Sequence, residues 1–315
     1  MNTTRVLSLD GGGIRGVVTL VWLAELEKQL DNPLHTYFDL IIGTSTGAII
    51  GCGLSSGYDA STMLDMYIEN GKYIFDGGKN RLWNKICRFF SDGLSSPSYS
   101  GEGLRLVMDK VFGKKTLKDL NKPTMVTSYN LRTGKPLIFK SFNNDHENLS
   151  IAQVCKASAS APTFFPAEIM KINGEECPIL DGGVVSNNPS LCGLAEAFRL
   201  YGTNCDNLLL SSFGTGEAIR EVSTEESQEW GKLEWAIPII DVLFDGSSAV
   251  SDYICNKVLS KENYYRFQTE IGDDNMSDMD NCDQENMNNL YFLAMDYLKN
   301  GGYKKIKELA KRLSE

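Results

Sequence analysis

Phe38-Asp39-Leu40-Ile41-Ile42-Gly43-Thr44-Ser45-Thr46-Gly47 is the stretch that decides how this 315-residue chain folds. Phe38 to Ile42 is apolar apart from Asp39, and a run of that length ending in a turn signal predicts a buried β-strand. Gly43-x-Ser45-x-Gly47 follows at once, and the apolar residues from Ala48 onward predict a helix. Strand, sharp turn and helix are the parts of a nucleophile elbow, in which a serine hydroxyl projects from a turn so tight that only glycine fits beside it. The helix N-terminus beyond offers unpaired N–H groups and a positive dipole end, both favourable to a developing oxyanion. The same residues also suit a plain strand-to-helix turn with Ser45 as helix cap. On this motif alone the two readings stand level.

Working outward, Val6 to Leu9 is a second short apolar run, and it enters Asp10-Gly11-Gly12-Gly13-Ile14-Arg15-Gly16. Leu20, Leu23, Ala24, Leu26 and Leu30 then recur at helical spacing. Two strand–turn–helix units in succession indicate parallel α/β architecture. The glycine loop fits the dinucleotide fingerprint, but that reading needs an acidic residue ending the second strand. Here Asp39 stands near the start of that strand and Asp31 lies in a turn. The competing reading aims backbone N–H groups of the loop at a tetrahedral oxygen beside Ser45. Arg15 adds a fixed charge suited to a phosphate head group, or to a surface ion pair.

A serine nucleophile needs a base. The chain holds two histidines, His35 in the loop before the second strand and His146 in a polar turn, and neither has a motif around it. Asp181 closes the apolar pair Ile179-Leu180 and precedes Gly182-Gly183, which predicts a carboxylate at a strand end with little steric cover. Burial in an apolar groove would raise its pKa and make it a competent base. Spacing alone also allows a turn aspartate.

Further strands are expected over residues 125–129, 137–142 and 208–213, and helices over 151–158 and 189–200. Beyond Gly216 the chain turns acidic, with helices expected over 235–244, 250–259, 287–299 and 303–313. The simplest organisation is one domain over 1–315, with a core of about 5–216 and a helical part of about 217–315. Residues 40–58 carry no charge, but their glycine, serine and threonine content and the internal turn predict strand, turn and helix rather than a membrane span. The net charge of -10 argues against nucleic acid as a partner and against general adhesion to anionic membrane. Any membrane contact must be local and apolar. Eight cysteines without a CxxC pair or zinc spacing suit reduced thiols in a cytoplasmic protein, and no signal peptide is expected at the N-terminus.

Taken in order, these segments resemble the patatin-like phospholipase family. Asp10 to Gly16 is similar to its oxyanion loop and Phe38 to Gly47 to its nucleophile strand and elbow. Ala157-Ser158-Ala159-Ser160-Ala161-Pro162 resembles its small-residue run. Asp181-Gly182-Gly183 with Asn187-Asn188-Pro189 resembles the segment of its catalytic aspartate, and Ser212-Phe213-Gly214-Thr215-Gly216 a later turn. The resemblance implies a three-layer α/β/α sandwich with a mostly parallel central sheet. It also implies Ser45 as nucleophile within an elbow of Gly43, Thr44, Thr46 and Gly47, and Asp181 as base supported by Gly182 and Gly183. Oxyanion donors would lie among Gly11, Gly12, Gly13 and Ile14. The implied reaction is hydrolysis of acyl esters of phospholipids or other acyl lipids through an acyl-enzyme. It needs no cofactor and no metal, and it involves transient contact with the membrane surface from the cytoplasm. Acyl transfer from the same intermediate and non-catalytic lipid binding are the alternatives. Oligomeric state is not legible.

Two segments carry weaker signals. Residues 79–90 interleave Leu82, Trp83, Ile86, Phe89 and Phe90 with Lys79, Arg81, Lys85 and Arg88, which suits a core helix, an interfacial helix or a lid. Residues 273–283 are acidic, but the glycine and glutamate of a calcium loop are misplaced, so a solvated loop is expected.

Overall fold

The central sheet is built from short apolar strands buried on both faces, the pattern of parallel strands covered by helices. The computed structural model describes residues 3–75, 97–218, 223–231, 235, 238–272, 276 and 278–315. Along the chain the sheet's strands are β1 (Thr4–Leu9), β2 (Leu40–Thr44), β3 (Thr124–Asn130), β4 (Lys135–Lys140), β5 (Glu168–Ile172), β6 (Glu175–Asp181), β7 (Leu208–Phe213) and β8 (Tyr264–Phe267). The strands β3, β2, β1, β7 and β8 lie side by side and parallel.

The helices that concern the site are α1 (Gly16–Glu27), α2 (Thr46–Ser55), α3 (Ala60–Phe75), α4 (Glu102–Phe112), α5 (Ile151–Ser158), α6 (Gly183–Ser186), α7 (Ser190–Tyr201) and α8 (Pro238–Val258). Two more, α9 (Gln284–Tyr297) and α10 (Tyr303–Ser314), close the chain. Alternation along the strands divides the core. Leu7, Leu9 and Ile41 point into one layer with Leu20, Leu23 and Ile50 of α1 and α2. Val6, Leu40 and Ile42 point into the other, with Leu194 and Ala197 of α7 and Cys255 of α8. The fold is therefore a three-layer α/β/α sandwich on a mostly parallel sheet, as the family resemblance implies.

One feature of the topology sets the site. β4 runs antiparallel along one edge of β3 over its whole length, from Met125↔Lys140 to Asn130↔Lys135. The other edge is shared. β2 occupies it as far as Thr44↔Thr127, and β6, arriving antiparallel from the opposite direction, takes over at Ser128↔Asp181. The ends of β2 and β6 therefore meet head to head.

Three differences from the expected elements stand out. The hairpin β5–β6 extends well before the apolar pair Ile179-Leu180, because its solvent-facing residues Lys171, Glu175 and Glu176 hide the strand pattern. The C-terminal part, expected as helices, contributes the edge strand β8. The helix α8 runs unbroken through Gly246-Ser247-Ser248, where two helices were expected. An exposed glycine there costs only about 1 kcal/mol of helix propensity, and burial of Ile240, Phe244 and Cys255 on the inner face offsets it. Residues 40–58 form strand, turn and helix, and no helix among the described residues is long and apolar enough to cross a membrane. Residues 79–90 lie outside the described residues.

Candidate active site

Ser45 stands between β2 and α2 with φ 53° and ψ -120°, a backbone that side-chain-bearing residues rarely adopt. Such strain costs of order 1–3 kcal/mol and persists only where the surroundings enforce it. The flanking glycines show what enforces it. A Cβ on Gly43 would stand 2.2 Å from the Gly47 carbonyl oxygen, and a Cβ on Gly47 would stand 2.2 Å from the Leu9 carbonyl oxygen. The elbow thus packs backbone on backbone, against itself and against the end of β1. Thr44 anchors its near side, with its Oγ1 within 2.7 Å of the Ser186 carbonyl and 2.6 Å of Thr127 Oγ1. On the far side the Thr46 hydroxyl pairs with the Tyr67 hydroxyl of α3.

Asp181 ends β6 and is fully buried. Its Oδ1 accepts the Gly183 N–H at 2.7 Å. Its Oδ2 is buried without a hydrogen bond of full geometry, yet the Ser45 hydroxyl lies close enough to help hold the carboxylate. Burial pushes this carboxyl up to about 7, against the lowering effects of the Gly183 N–H and the Ser45 hydroxyl. Gly182 and Gly183 permit the turn that follows: a Cβ on the first would meet Thr127 Oγ1 at 2.3 Å, and on the second the Phe244 ring of α8 at 2.6 Å.

The small-residue run clamps both groups, a role the sequence did not assign it. Ser158 Oγ accepts the backbone N–H of Ser45 at 2.8 Å and donates to the Thr127 carbonyl at 2.7 Å. The carbonyls of Ser160 and Ser158 accept the N–H groups of Asp181 and Gly182 at 3.1 and 3.3 Å. One strap of small residues, through a hydroxyl and two backbone carbonyls, thereby fixes the serine relative to the aspartate.

The glycine loop lies beside the elbow because β1 and β2 pair through Leu9↔Gly43. A Cβ on Gly11 would be 3.3 Å from the Ser45 Cβ. Two of the four expected donors are already used. The Gly11 N–H donates to the Asn187 carbonyl at 3.0 Å, and the Ile14 N–H to the Met279 carbonyl at 2.9 Å. Among the described residues the N–H groups of Gly12 and Gly13 have no acceptor. Gly13 adopts φ 58°, and a Cβ there would come within 2.2 Å of the Met279 carbonyl oxygen. Met279 belongs to the acidic stretch expected to be a solvated loop; instead it closes over the glycine loop, while its neighbour Asp280 accepts the Tyr99 hydroxyl.

Arg15 is also placed otherwise than expected. It is buried and does not line the Ser45 cavity; it faces a separate polar cavity of about 580 Å³ shared with Asp10, Asp252 and Arg266. Asp10 anchors the loop from beneath, since Arg266 of β8 donates to its Oδ2 at 2.6 Å and to Ser212 Oγ at 2.9 Å. Burial lifts the Asp10 carboxyl to about 6 in spite of Arg266.

Ser45, Thr46, Gly13 and Asp181 open on a narrow cavity of about 60 Å³ whose other walls include Ile14, Ile49, Leu104, Phe165 and Phe244. Its lining is almost wholly apolar, which suits an acyl chain. Neither histidine reaches it. His35 lies in the turn Leu34–Tyr37 that precedes β2. His146 accepts the backbone N–H of Lys140, which pairs with Met125 near the start of β3. Both therefore sit at the end of the sheet opposite Ser45.

Residues 7–191 match the family model described as patatin-like phospholipase. Patatin-like protein 1 of Arabidopsis thaliana is 29% identical over 340 residues, an alignment that takes in 94% of this chain and 81% of that one. Patatin group M-3 of Solanum tuberosum is 28% identical over 334 residues, with 93% and 83% covered. Among solved structures, VipD from Legionella pneumophila superposes with a TM-score of 0.45 at 16% identity, covering 95% of this chain and 67% of that chain.

Proposed function

The chain belongs to the patatin-like phospholipase family, and from that premise we propose that it hydrolyses acyl esters of membrane phospholipids, as a phospholipase A or lysophospholipase, through an acyl-enzyme on Ser45. Asp181 takes the proton of the Ser45 hydroxyl as its oxygen attacks the ester carbonyl. The N–H groups of Gly12 and Gly13 receive the negative charge that develops on the carbonyl oxygen. Collapse expels the alcohol, to which the protonated Asp181 returns its proton. Water then attacks the acyl-enzyme, Asp181 accepts the water's proton, and the fatty acid leaves as Ser45 recovers its hydrogen.

The observation that carries this reading is the meeting of two strand ends on one edge of β3. One bears a strained serine and the other a buried carboxyl poised at about 7, both facing an apolar cavity. A base works best when its pKa is near the working pH, and burial alone supplies that here without histidine.

The test is mass spectrometry of the products formed from a mixed phospholipid extract, with Ser45→Ala as control. Free fatty acids together with lysolipids or glycerophosphodiesters are expected from the wild type alone. The same products from Ser45→Ala, or none from either protein, would contradict the proposal.

A further inference from the structure

Glycine has no side chain with which to anchor itself and loses more freedom on folding than any other residue. Gly11-Gly12-Gly13 must therefore be held from outside. Backbone bonds tie its two ends, the Gly11 N–H to the Asn187 carbonyl and the Ile14 N–H to the Met279 carbonyl. The Thr215 hydroxyl donates to the Gly11 carbonyl at 2.8 Å. The N–H groups of Gly12 and Gly13, which the proposed reaction uses, hang between these ties. Asp10 opens the loop, and its N–H donates to the Phe213 carbonyl at 3.0 Å.

The Asp10 side chain is buried beneath the loop. Its Oδ1 has no partner among the described residues. Its tie is Oδ2, which accepts from Arg266, 256 positions away in sequence, at 2.6 Å. The other terminal nitrogen of Arg266 donates to Ser212 Oγ at 2.9 Å. Ser212 pairs with Arg266 across β7 and β8, and with Ser8 across β7 and β1. The guanidinium is thus braced on the sheet while it reaches past the end of β1. A lysine there would offer a point charge in place of the planar fork that serves both partners. A buried ion pair is weak evidence of added stability, because apolar residues of similar volume often serve as well. Two directed, charge-assisted bonds fix a position instead.

The same strand end carries the loop's other support. Gln268 Oε1 accepts the Gly216 N–H at 2.9 Å, and the Phe267 carbonyl accepts the Gly214 N–H at 2.8 Å. The turn that presents Thr215 to Gly11 is therefore built on β8 as well.

We propose that Arg266 is a positioning residue for catalysis, which through Asp10 holds the glycine loop so that the Gly12 and Gly13 N–H groups meet the developing oxyanion. The proposal rests on the hydrolase reading for its reaction. Arg266 does not line the Ser45 cavity, so it acts on the substrate by way of the loop.

Two measurements on the full chain, made well below its melting temperature, test this. They are steady-state kinetics on a short water-soluble ester and amide hydrogen exchange over residues 9–16. Arg266→Gln is expected to lower kcat about 10- to 100-fold with KM within about twofold. Exchange of the loop amides should quicken at least about tenfold. Asp10→Ala removes the same tie, so the double variant should be no slower than the slower single one. If Arg266→Gln does not fold, Arg266→Lys, which keeps the charge and one of the two bonds, gives the same comparison with a smaller loss. Unchanged kcat, a rise in KM with kcat intact, unchanged exchange, or losses that multiply in the double variant would each overturn the proposal. Hydrogen exchange needs no catalysis. A wild type without ester turnover would sink the hydrolase reading, and exchange would still decide whether Arg266 holds the loop.

Discussion

The hydroxyl of Ser158 accepts the backbone N–H of Ser45 at 2.8 Å and donates to the Thr127 carbonyl at 2.7 Å. The serine elbow is therefore held by a side chain from α5, more than a hundred residues away in sequence. Ser45 sits in a backbone conformation it would not hold alone, and the Ser158 bond is one of the restraints that fix it there. The neighbouring carbonyls of the same run fix Asp181 and Gly182.

Ser158→Ala is expected to leave the Ser45 N–H buried and unpaired, at a cost of about 1–3 kcal/mol. If the bond positions the nucleophile, kcat on a soluble ester should fall roughly 10- to 100-fold while KM barely moves. Steady-state kinetics on that ester checks the split. A rise in KM with kcat intact would show that Ser158 shapes the binding cavity instead.

Asp181 should also leave a mark on stability. Its carboxyl titrates at about 7 in the folded chain against 3.8 ordinarily, so the folded state binds protons more tightly. Its contribution to stability is full below the ordinary carboxylate range and is lost as pH rises through about 7. Asp10, raised to about 6, acts with the same sign. Asp181→Asn keeps an acceptor for Gly183 but cannot ionise. It is expected to melt above the wild type at pH 8, by a margin that shrinks toward pH 5. Equal margins at the two pH values would mean that the buried carboxyl does not titrate in this window.

The glycine loop gives a test of the oxyanion donors. Gly13→Ala places a methyl group against the Met279 carbonyl and demands φ near 58° of a residue that resists it. Displacing that N–H is expected to lower kcat by about a hundredfold or more. Gly202→Ala is the control, since it has φ 60° and open space around it; it should lose stability and keep kcat. Comparable kcat for the two variants would remove Gly13 from the site.

How far the sequence carries the account depends on the range of the forces involved. Gly43 and Gly47 were legible because their reason is local: backbone must pass where a Cβ would stand. Asp181 was legible as a strand end, but the length of that strand and its hairpin with β5 were not, since Glu175, Glu176 and Lys171 mask the alternation. The fates of Gly11 and Ile14 depend on carbonyls of Asn187 and Met279, far along the chain, and nothing near the glycine loop signals them. Arg15 looked like a head-group contact because charge beside a glycine loop suggests one. It faces instead the polar cavity that Arg266 of β8 also lines, and β8 was missed because Tyr264-Tyr265-Arg266-Phe267 carries its charge inward to Asp10. Ser158 was visible only as a small residue among others.

In the proposed reaction Asp181, with no histidine, activates Ser45. The most direct measurement is the rate at which a fluorophosphonate labels the protein across pH, with the adduct located by peptide mass spectrometry. The expected result is one adduct, on Ser45, forming at a rate that climbs to a plateau through about pH 7, retained in His35→Ala and His146→Ala and lost in Asp181→Asn. An adduct on another residue, or an Asp181→Asn protein labelled as fast as the wild type, would contradict it.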